Sequence, residues 1–160
     1  MQLSFFYFDL QYAIKEHDFI IENSGGRHGS NNIGLLESTL EHIKNDWYYP
    51  SIEDKATYLC YSINKNHAFT DGNKRSSIVL TSYFLEINGL SYCTTRFVLE
   101  MENFAVYVAA NYIDQVLLHQ IITSILYEND YSEELKLKIA KALSTHIDDS
   151  DMDAADENYL

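Results

Sequence analysis

The chain has 160 residues, of which 46% are hydrophobic and 14% aromatic, so it is long enough to bury one core and too apolar for a disordered chain. Its formal charge of −13 at pH 7 argues against nucleic acid as a direct partner, because binding to a phosphate backbone requires a basic face. With a single proline and six glycines, the composition favours long helices over an all-β array of turns.

The first residues lack the marks of a secreted protein. Residues 1–8 have neither the cationic start nor the small-residue cleavage site of a signal peptide, and no apolar run approaches the ~20 residues of a membrane span. Cys60 and Cys93 do not have the spacing of a zinc site, and Cys60 lies on an apolar helical stripe, as a buried reduced thiol would. We therefore expect a soluble cytoplasmic protein without a membrane partner.

Apolar residues recur at helical spacing along most of the chain and predict an all-α bundle of seven helices. The predicted bounds are 9–23, 33–44, 51–66, 72–88, 96–110, 113–127 and 132–144. Ser51 and Asp54 have the spacing of a capping box at the start of the third helix. Residues 90–95 are predicted to form a short irregular connection.

The helix predicted over 72–88 is the centre of this bundle. Seven of the ten residues from Ile78 to Ile87 are apolar and fall on every side of a 3.6-residue repeat, so burial all round is predicted. The nonapeptide that precedes and opens this helix, His67 to Arg75, reads HAFTDGNKR. Polar and titratable groups are therefore placed at the end of a core helix, which is the first place to look for function.

The end of the nonapeptide has the chemistry of an anion site. The first N–H groups of a helix lack internal partners and carry partial positive charge. Gly72 allows the backbone to approach a ligand closely, and Asn73 can cap the helix or bond a phosphate oxygen. Lys74 and Arg75 add positive charge beside those N–H groups.

Two further side chains extend this site toward catalysis. Asp71 offers the hard oxygen ligand that a Mg²⁺ ion bound to a di- or triphosphate requires. His67 is of the residue type that takes a proton from an attacking hydroxyl near neutral pH. The alternative interpretation is an ordinary turn and helix cap with solvated charges, and residue chemistry alone leaves both open.

The nonapeptide resembles the signature HxFx(D/E)GN(G/K)R of the Fic/Doc superfamily. Lys74 stands where Fic adenylyltransferases have glycine, which makes the chain similar to the Doc (death-on-curing) branch. Residues 24–26 and 34–40 also resemble the GG…LLESAL segment upstream of the motif in that branch. The resemblance extends over about residues 9–127.

This resemblance implies a Fic/Doc-type helical fold, ATP as co-substrate and Mg²⁺ as cofactor. His67 would be the base for a serine, threonine or tyrosine hydroxyl, Asp71 the Mg²⁺ ligand, and residues 72–75 the anion hole for the ATP phosphates. Doc proteins are toxins of toxin–antitoxin modules that phosphorylate elongation factor Tu. The implied partners are therefore a protein substrate of this kind and an antitoxin protein.

Two alternatives remain beside the Doc-type kinase. Fic proteins transfer AMP instead of phosphate, but those enzymes often carry a second arginine at the position of Ile78, so its absence favours phosphorylation. The chain could also be an inactive relative that only binds a nucleotide or a partner. Ala68 replaces the common proline of the motif and touches no reacting atom.

Fic/Doc folds also have a flap before the motif helix that holds the target segment extended. The candidate here is the segment 47–51, in which Tyr48 and Tyr49 would position the substrate and a short β-hairpin is one expected shape. The alternative is a partly buried aromatic loop between the second and third helices.

A spaced pattern of Ser124, Glu128 and Asn129 fits the inhibitory helix of Fic proteins. The glutamate of that helix normally pairs with the second arginine, which this chain replaces by Ile78. This replacement favours a chance match, because short spaced patterns recur in helices.

The remaining titratable side chains have ordinary interpretations. His17, His42 and His119 occupy helical positions without metal spacing and are predicted to be core or surface residues. We predict one domain over 1–145 and a mobile acidic tail over 146–160, where the apolar content is too low for packing. The tail is interpreted as a solvated end, with a cover over a basic site or an antitoxin-binding surface as alternatives.

Overall fold

A computed structural model describes the backbone of residues 4–156 and the side chains of residues 4–145. Within this part of the chain there are seven α-helices and no β-strand, so the predicted all-α class is confirmed. The helices are α1 (Leu10–Ser24), α2 (Ile33–His42), α3 (Ile52–Lys65), α4 (Asn73–Ile87), α5 (Ser91–Ala109), α6 (Gln115–Tyr127) and α7 (Glu133–Asp156). None of these helices is both long enough and apolar enough to cross a membrane.

Helix α4 is enclosed by its neighbours α1, α3 and α5. Its side chains at Leu80, Phe84 and Leu85 are at most 1% exposed, while its exposed residues, Lys74 and Glu86, lie near its two ends. The prediction of burial on every side was wrong for one face, because Val79, Ser82 and Tyr83 are only partly buried and Glu86 on the same face is exposed. Because packing holds the helix on three sides, the position of its first turn is set by the core.

Side-chain caps explain where several helices begin. Asp9 accepts a hydrogen bond from the Tyr12 N–H ahead of α1. At the start of α3 the predicted capping box is present, since Ser51 accepts from the Asp54 N–H while the Asp54 carboxylate accepts from the Ser51 N–H. These caps satisfy N–H groups that have no partner inside the helix.

Helix α5 begins at Ser91, so the prediction of an irregular connection over 90–95 was wrong. The serine and threonine residues there have weak helix propensity, but tertiary contacts override it. Cys93 is 3% exposed, and the Tyr92 hydroxyl donates to the Leu126 carbonyl at 2.8 Å.

Helix α7 continues to Asp156, beyond the predicted end at residue 144. No glycine or proline occurs between 145 and 156, so the sequence offers no strong stop. Side chains from residue 146 onward and the last four residues lie outside the described part of the chain. The division into a domain over 1–145 and a mobile tail therefore stays a prediction.

The short β-hairpin considered for residues 47–51 is absent, because residues 46–48 form a turn. Asn45 closes this turn twice, accepting from the Trp47 N–H through its side chain and from the Tyr49 N–H through its carbonyl. Pro50 has no N–H to contribute to a ladder.

A buried lysine ties this turn to the core. Lys55 is fully buried, and its ammonium donates to the Ile43 carbonyl at 2.7 Å and to the Asp46 carboxylate at 2.8 Å. The same ammonium lies 5.0 Å from the centre of the Phe5 ring and 5.7 Å from that of Tyr7. One side chain on α3 thus links the N-terminal segment with the turn that follows α2.

The two cysteines are free and buried, as predicted for Cys60, and burial raises the pKa of the Cys60 thiol to about 12. We expect both thiols of the native protein to react with a disulfide reagent at pH 8 about 100-fold or more slowly than in denaturant, because reaction requires local opening. The absorbance of the thiolate that the reagent releases measures the reaction rate. Immediate reaction of one thiol in the folded protein would show that the core is open there.

Candidate active site

The first turn of α4 presents unpaired backbone donors. Gly72 precedes the helix in the left-handed region, with φ 78° and ψ 16°, and its carbonyl accepts from the Ser76 N–H at 2.9 Å. Among the described residues no acceptor faces the N–H groups of Asn73, Lys74 and Arg75. Three donors at the positive end of a core helix are the elements of an anion site.

Asp71 is held beside these donors as a carboxylate. One of its oxygens accepts from the Gly72 N–H at 2.7 Å, and the other accepts from the Arg27 N–H at 3.1 Å. These two bonds, with a smaller contribution from the Arg75 guanidinium, hold the pKa of Asp71 below its usual range. Each oxygen keeps a free lone pair, so the carboxylate is ionised at neutral pH and can still bind a cation.

Arg75 is anchored by the loop that follows α1. Its Nη1 donates to the Ser24 hydroxyl and to the Gly25 carbonyl, each at 2.7 Å, and its Nη2 lies 3.8 Å from Asp71 Oδ1. The guanidinium therefore stands beside the carboxylate with two of its five donors in use. Lys74, on the same turn, is exposed and has no ion pair among the described residues.

The loop after α1 was predicted as a helix stop and a family-like segment, and its contact with Arg75 was not foreseen. A Cβ atom on Gly26, which has φ +117°, would lie 2.9 Å from each of Arg75 Nη2, Asp71 Oδ2 and Ile21 Cδ1. Only glycine fits at that place without displacing the charged pair. The adjacent pair of glycines after a helix was the available signal, since it permits close approach as well as helix termination.

The Asn73 side chain makes hydrogen bonds within its own loop. The amide is buried, its nitrogen donates to the Phe69 carbonyl at 2.9 Å, and its oxygen accepts from the Phe69 N–H at 3.1 Å. This pair of bonds closes the loop before α4. The amide is thus engaged within the protein, and what Asn73 can offer to an anion is its backbone N–H.

The motif loop is covered on one side by the glycine-rich segment that precedes α2. The Asn31 and Asn32 N–H groups donate to the Ala68 carbonyl, and the Thr70 N–H donates to the Gly29 carbonyl at 3.0 Å. An isolated antiparallel bridge between residues 30 and 69 belongs to the same pairing. The segment 29–32 therefore lies along the loop in extended form.

His67 lies at the exposed edge of this loop. Its backbone has φ 50°, a left-handed conformation that is uncommon outside glycine, and its carbonyl accepts from the Asn31 side chain at 3.3 Å. The ring is exposed, and neither ring nitrogen has a partner among the described residues. The site therefore joins an exposed histidine to a turn with open backbone donors one short loop away.

Tyr48 and Tyr49 are not brought to this site. They precede the N-terminal end of α3, whereas His67 follows its C-terminal end, and 14 helical residues correspond to ~20 Å. Tyr49 stacks on Tyr58 at 4.3 Å between ring centres. Both predicted positioning residues line a separate cavity of about 460 Å³ that also contains His119.

The segment with the inhibitory-helix pattern also lies away from the motif. The Tyr127 hydroxyl donates to Glu53 at the start of α3, at 2.9 Å, so the end of α6 is near the far end of α3. Ile78 is 9% exposed, and no arginine takes its place on that turn of α4. This placement agrees with a chance match for Ser124, Glu128 and Asn129.

Residues 7–85 match the model of the Fic/DOC family, a span that begins before α1, ends within α4 and contains every group described at the site. The chain belongs to the Fic/Doc family. A curated relative, Toxin Doc of Mycolicibacterium smegmatis, is 37% identical over 70 residues, which cover 41% of this chain and 54% of that protein. The chain thus spans about half the length of this relative, and the predicted Doc branch of the family is confirmed.

We predict that pyrophosphate binds at the Fic/Doc motif and that Gly26→Ala weakens this binding by about tenfold, because the added methyl would displace the Arg75–Asp71 pair. Isothermal titration calorimetry with pyrophosphate measures the change in affinity. Gly25→Ala is the matched control, since Gly25 also has positive φ but its Cβ would meet no atom within 4 Å. Equal losses in both variants would trace the effect to backbone strain and contradict the contact.

Proposed function

We propose that the chain is a Doc-like toxin that transfers a phosphate group from ATP to a hydroxyl of a target protein. One observation carries the proposal: a turn with three open N–H groups, a carboxylate and two cations lies one short loop from an exposed histidine. A phosphate donor and a proton acceptor are what transfer to a hydroxyl requires.

The phosphates of ATP would lie against the N–H groups of Asn73, Lys74 and Arg75. Anions are stabilised there because the donors are already aligned and the helix dipole adds positive potential. The remaining donors of the Arg75 guanidinium supply a planar fork for phosphate oxygens. Lys74, exposed and unpaired, would add a point charge against the outer phosphate.

His67 would act as the general base. The target hydroxyl would give its proton to a ring nitrogen of His67 while its oxygen forms a bond to the γ-phosphorus. The bond from that phosphorus to the bridging oxygen breaks, and ADP leaves with the bonding electrons. The exposed ring can meet a hydroxyl on a protein surface, which a buried histidine could not.

The Asp71 carboxylate fits the requirements of a Mg²⁺ ion that arrives with ATP. It is ionised, partly exposed and keeps one free lone pair on each oxygen, and no cluster of three or more potential ligands exists among the described residues. Magnesium usually binds through one or two carboxylates together with substrate phosphates and water. Asp71 would hold the ion, and the chemistry that the ion would supply is neutralisation of charge on the phosphates.

The main alternative is AMP transfer to a protein hydroxyl at the same site. Phosphate transfer is favoured because the α4 turn after the motif buries Ile78 and so offers no second arginine for a differently placed nucleotide. A second alternative is an inactive relative that binds only a nucleotide or a partner. An exposed His67 with free ring nitrogens favours an enzyme, because a binding module needs no base.

The proposals for the target and the partner rest on the family, and the name of the relative, Toxin Doc, supports the toxin role. We propose a translation factor such as elongation factor Tu as the substrate, an antitoxin protein as the partner, and the cytoplasm as the place of action. Co-expression with the neighbouring reading frame tests the antitoxin. If host cells that express the chain grow equally with and without that frame, the frame does not encode an antitoxin and this part of the proposal is wrong.

Incubation with α-labelled or γ-labelled ATP, Mg²⁺ and purified elongation factor Tu separates the three functions. Label on the protein from γ-labelled ATP alone supports phosphate transfer. Label from α-labelled ATP would overturn it in favour of AMP transfer. If neither label is retained on the factor or on any protein of a cell lysate, a binding protein is the better description.

A further inference from the structure

A buried histidine of α1 contacts the motif loop from behind. His17 is 1% exposed, and its Nε2 lies 2.7 Å from the carbonyl oxygen of Asp71. A carbonyl oxygen can only accept, so Nε2 carries the proton and donates. The other ring nitrogen, Nδ1, lies 3.4 Å from the Asp18 carboxylate. The bond from Nε2 is present whether or not Nδ1 is also protonated.

The ring of His17 is held in place by the same loop. It stacks on Phe69 with 3.7 Å between ring centres and 3° between planes. Phe69 is 2% exposed, and its backbone is fixed by the Asn73 amide. The Nε2 donor therefore has one orientation, toward the peptide that joins Asp71 to Gly72.

Because the Asp71 carbonyl is fixed, the direction of the Gly72 N–H in the same peptide is fixed as well. A trans peptide is planar, and its C=O and N–H point in opposite directions. With the Asp71 carbonyl turned toward His17, the Gly72 N–H points to the other side, where it donates to Asp71 Oδ1 at 2.7 Å. The hydrogen bond from the Gly72 N–H orients the Asp71 carboxylate. The Gly72 N–H is also the last backbone donor before the three open donors of α4.

Gly72 makes this peptide easy to turn over. Glycine populates both signs of φ at little cost, so the Asp71–Gly72 peptide could flip if nothing held it. A flipped peptide would remove the N–H from the Asp71 carboxylate and direct a carbonyl oxygen toward the bound phosphates. Both changes oppose anion binding.

We propose that His17 is a positioning residue of the phosphate site, which acts by holding the Asp71–Gly72 peptide through its Nε2 donor. The inference rests on the proposed function, in which residues 72–75 hold phosphates. His17 touches neither substrate nor reacting atoms. Its part is to keep a glycine-containing turn in the orientation that an anion requires.

Three variants of the full chain separate the effect of the Nε2 hydrogen-bond donor from the effect of the stacked imidazole ring. His17→Gln places an amide nitrogen at the same number of bonds from Cα as Nε2. His17→Met matches glutamine in length but has no donor. His17→Phe keeps a ring that can stack on Phe69 and also lacks the donor. Pyrophosphate is the probe, and backbone amide NMR shifts of residues 72–75 report binding.

We expect the glutamine variant to bind pyrophosphate within about threefold of the wild type, and the methionine and phenylalanine variants to bind about tenfold more weakly. A merely structural role would not distinguish glutamine from methionine. Equal affinities in those two variants would overturn the proposal. That comparison stands even if the phenylalanine variant does not fold.

The amide spectrum separates this inference from the proposed function. If the wild type does not bind pyrophosphate, the proposed phosphate site is wrong. The Gly72 amide shift still reports the bond from His17 and should move in the methionine variant and return in the glutamine variant. A Gly72 amide that is unchanged in the methionine variant would overturn the positioning role by itself.

Discussion

His67→Asn should lower the rate of phosphate transfer by about 10²–10⁴-fold, the usual contribution of a positioned general base. Nucleotide affinity should stay within about threefold, since His67 contributes no donor to the turn that would bind phosphate. Asparagine is the better replacement here because His67 has φ 50°, a conformation that asparagine tolerates and alanine does not favour. Transfer of γ-label to the target measures the rate.

The control for this variant is His42→Asn, because His42 is also exposed and its ring lies near Tyr48 and Tyr58 at the end of α2, outside the motif. It should leave transfer within about twofold, as expected for an exposed side chain away from the chemistry. Thermal unfolding of both variants should match the wild type. Full labelling by His67→Asn would show that His67 is not the base.

Lys55→Ala should destabilise the protein by about 2–5 kcal/mol, the range for removing a large buried side chain. The substitution removes a fully buried stem, two hydrogen bonds of the ammonium and its contacts with Phe5 and Tyr7. For a chain of this size each kcal/mol lowers the melting temperature by about 2–4 °C. Urea unfolding and calorimetry measure the change.

Lys44→Ala is the matched control, because Lys44 is exposed and its one ion pair among the described residues is with Glu41, three positions earlier. It should change the free energy of unfolding by no more than about 0.5 kcal/mol. Lys55→Met keeps most of the stem and should lose less than alanine, since Asp46 is half-exposed and can be solvated when its partner is removed. Equal unfolding midpoints for Lys55→Ala and Lys44→Ala would contradict the proposed link.

Local signals predicted most of the helical framework. The apolar repeat located all seven helices, and the Ser51–Asp54 capping box is present in the structure. Helix ends without such signals were less well predicted. Helix α5 already begins at Ser91, where Cys93 is buried and the Tyr92 hydroxyl donates to the Leu126 carbonyl of α6. Helix α7 continues to Asp156 through residues that contain no helix breaker.

The candidate site was predicted as a short stretch of sequence, but it is assembled from two. The nonapeptide could be recognised because its groups are adjacent along the chain. Arg75 and Asp71 are held by the loop that follows α1, 44 to 51 residues earlier in the chain. Contacts over that separation depend on how the helices pack, and a single sequence carries no direct signal of them.

Asn73 and Tyr48 illustrate two further limits. An asparagine beside a phosphate-binding turn can bond a ligand or its own loop, and only the backbone path decides that it binds Phe69. Tyr48 was grouped with the motif as part of the flap that precedes the motif helix in Fic/Doc folds. Helix α3 separates the turn that contains Tyr48 from the motif loop by its whole length, so the two segments are close in sequence but far apart in space.

The clasp between Asn73 and Phe69 has a consequence for the thermodynamics of binding. Its two hydrogen bonds close the loop within the protein, so the shape of the turn that we propose to bind phosphate is already set when the protein folds. A ligand that enters a preorganised turn loses less free energy to the ordering of the chain than one that must shape a mobile loop. Substitutions that loosen the clasp would transfer this entropic cost to the binding step, and affinity would fall before the global fold is lost.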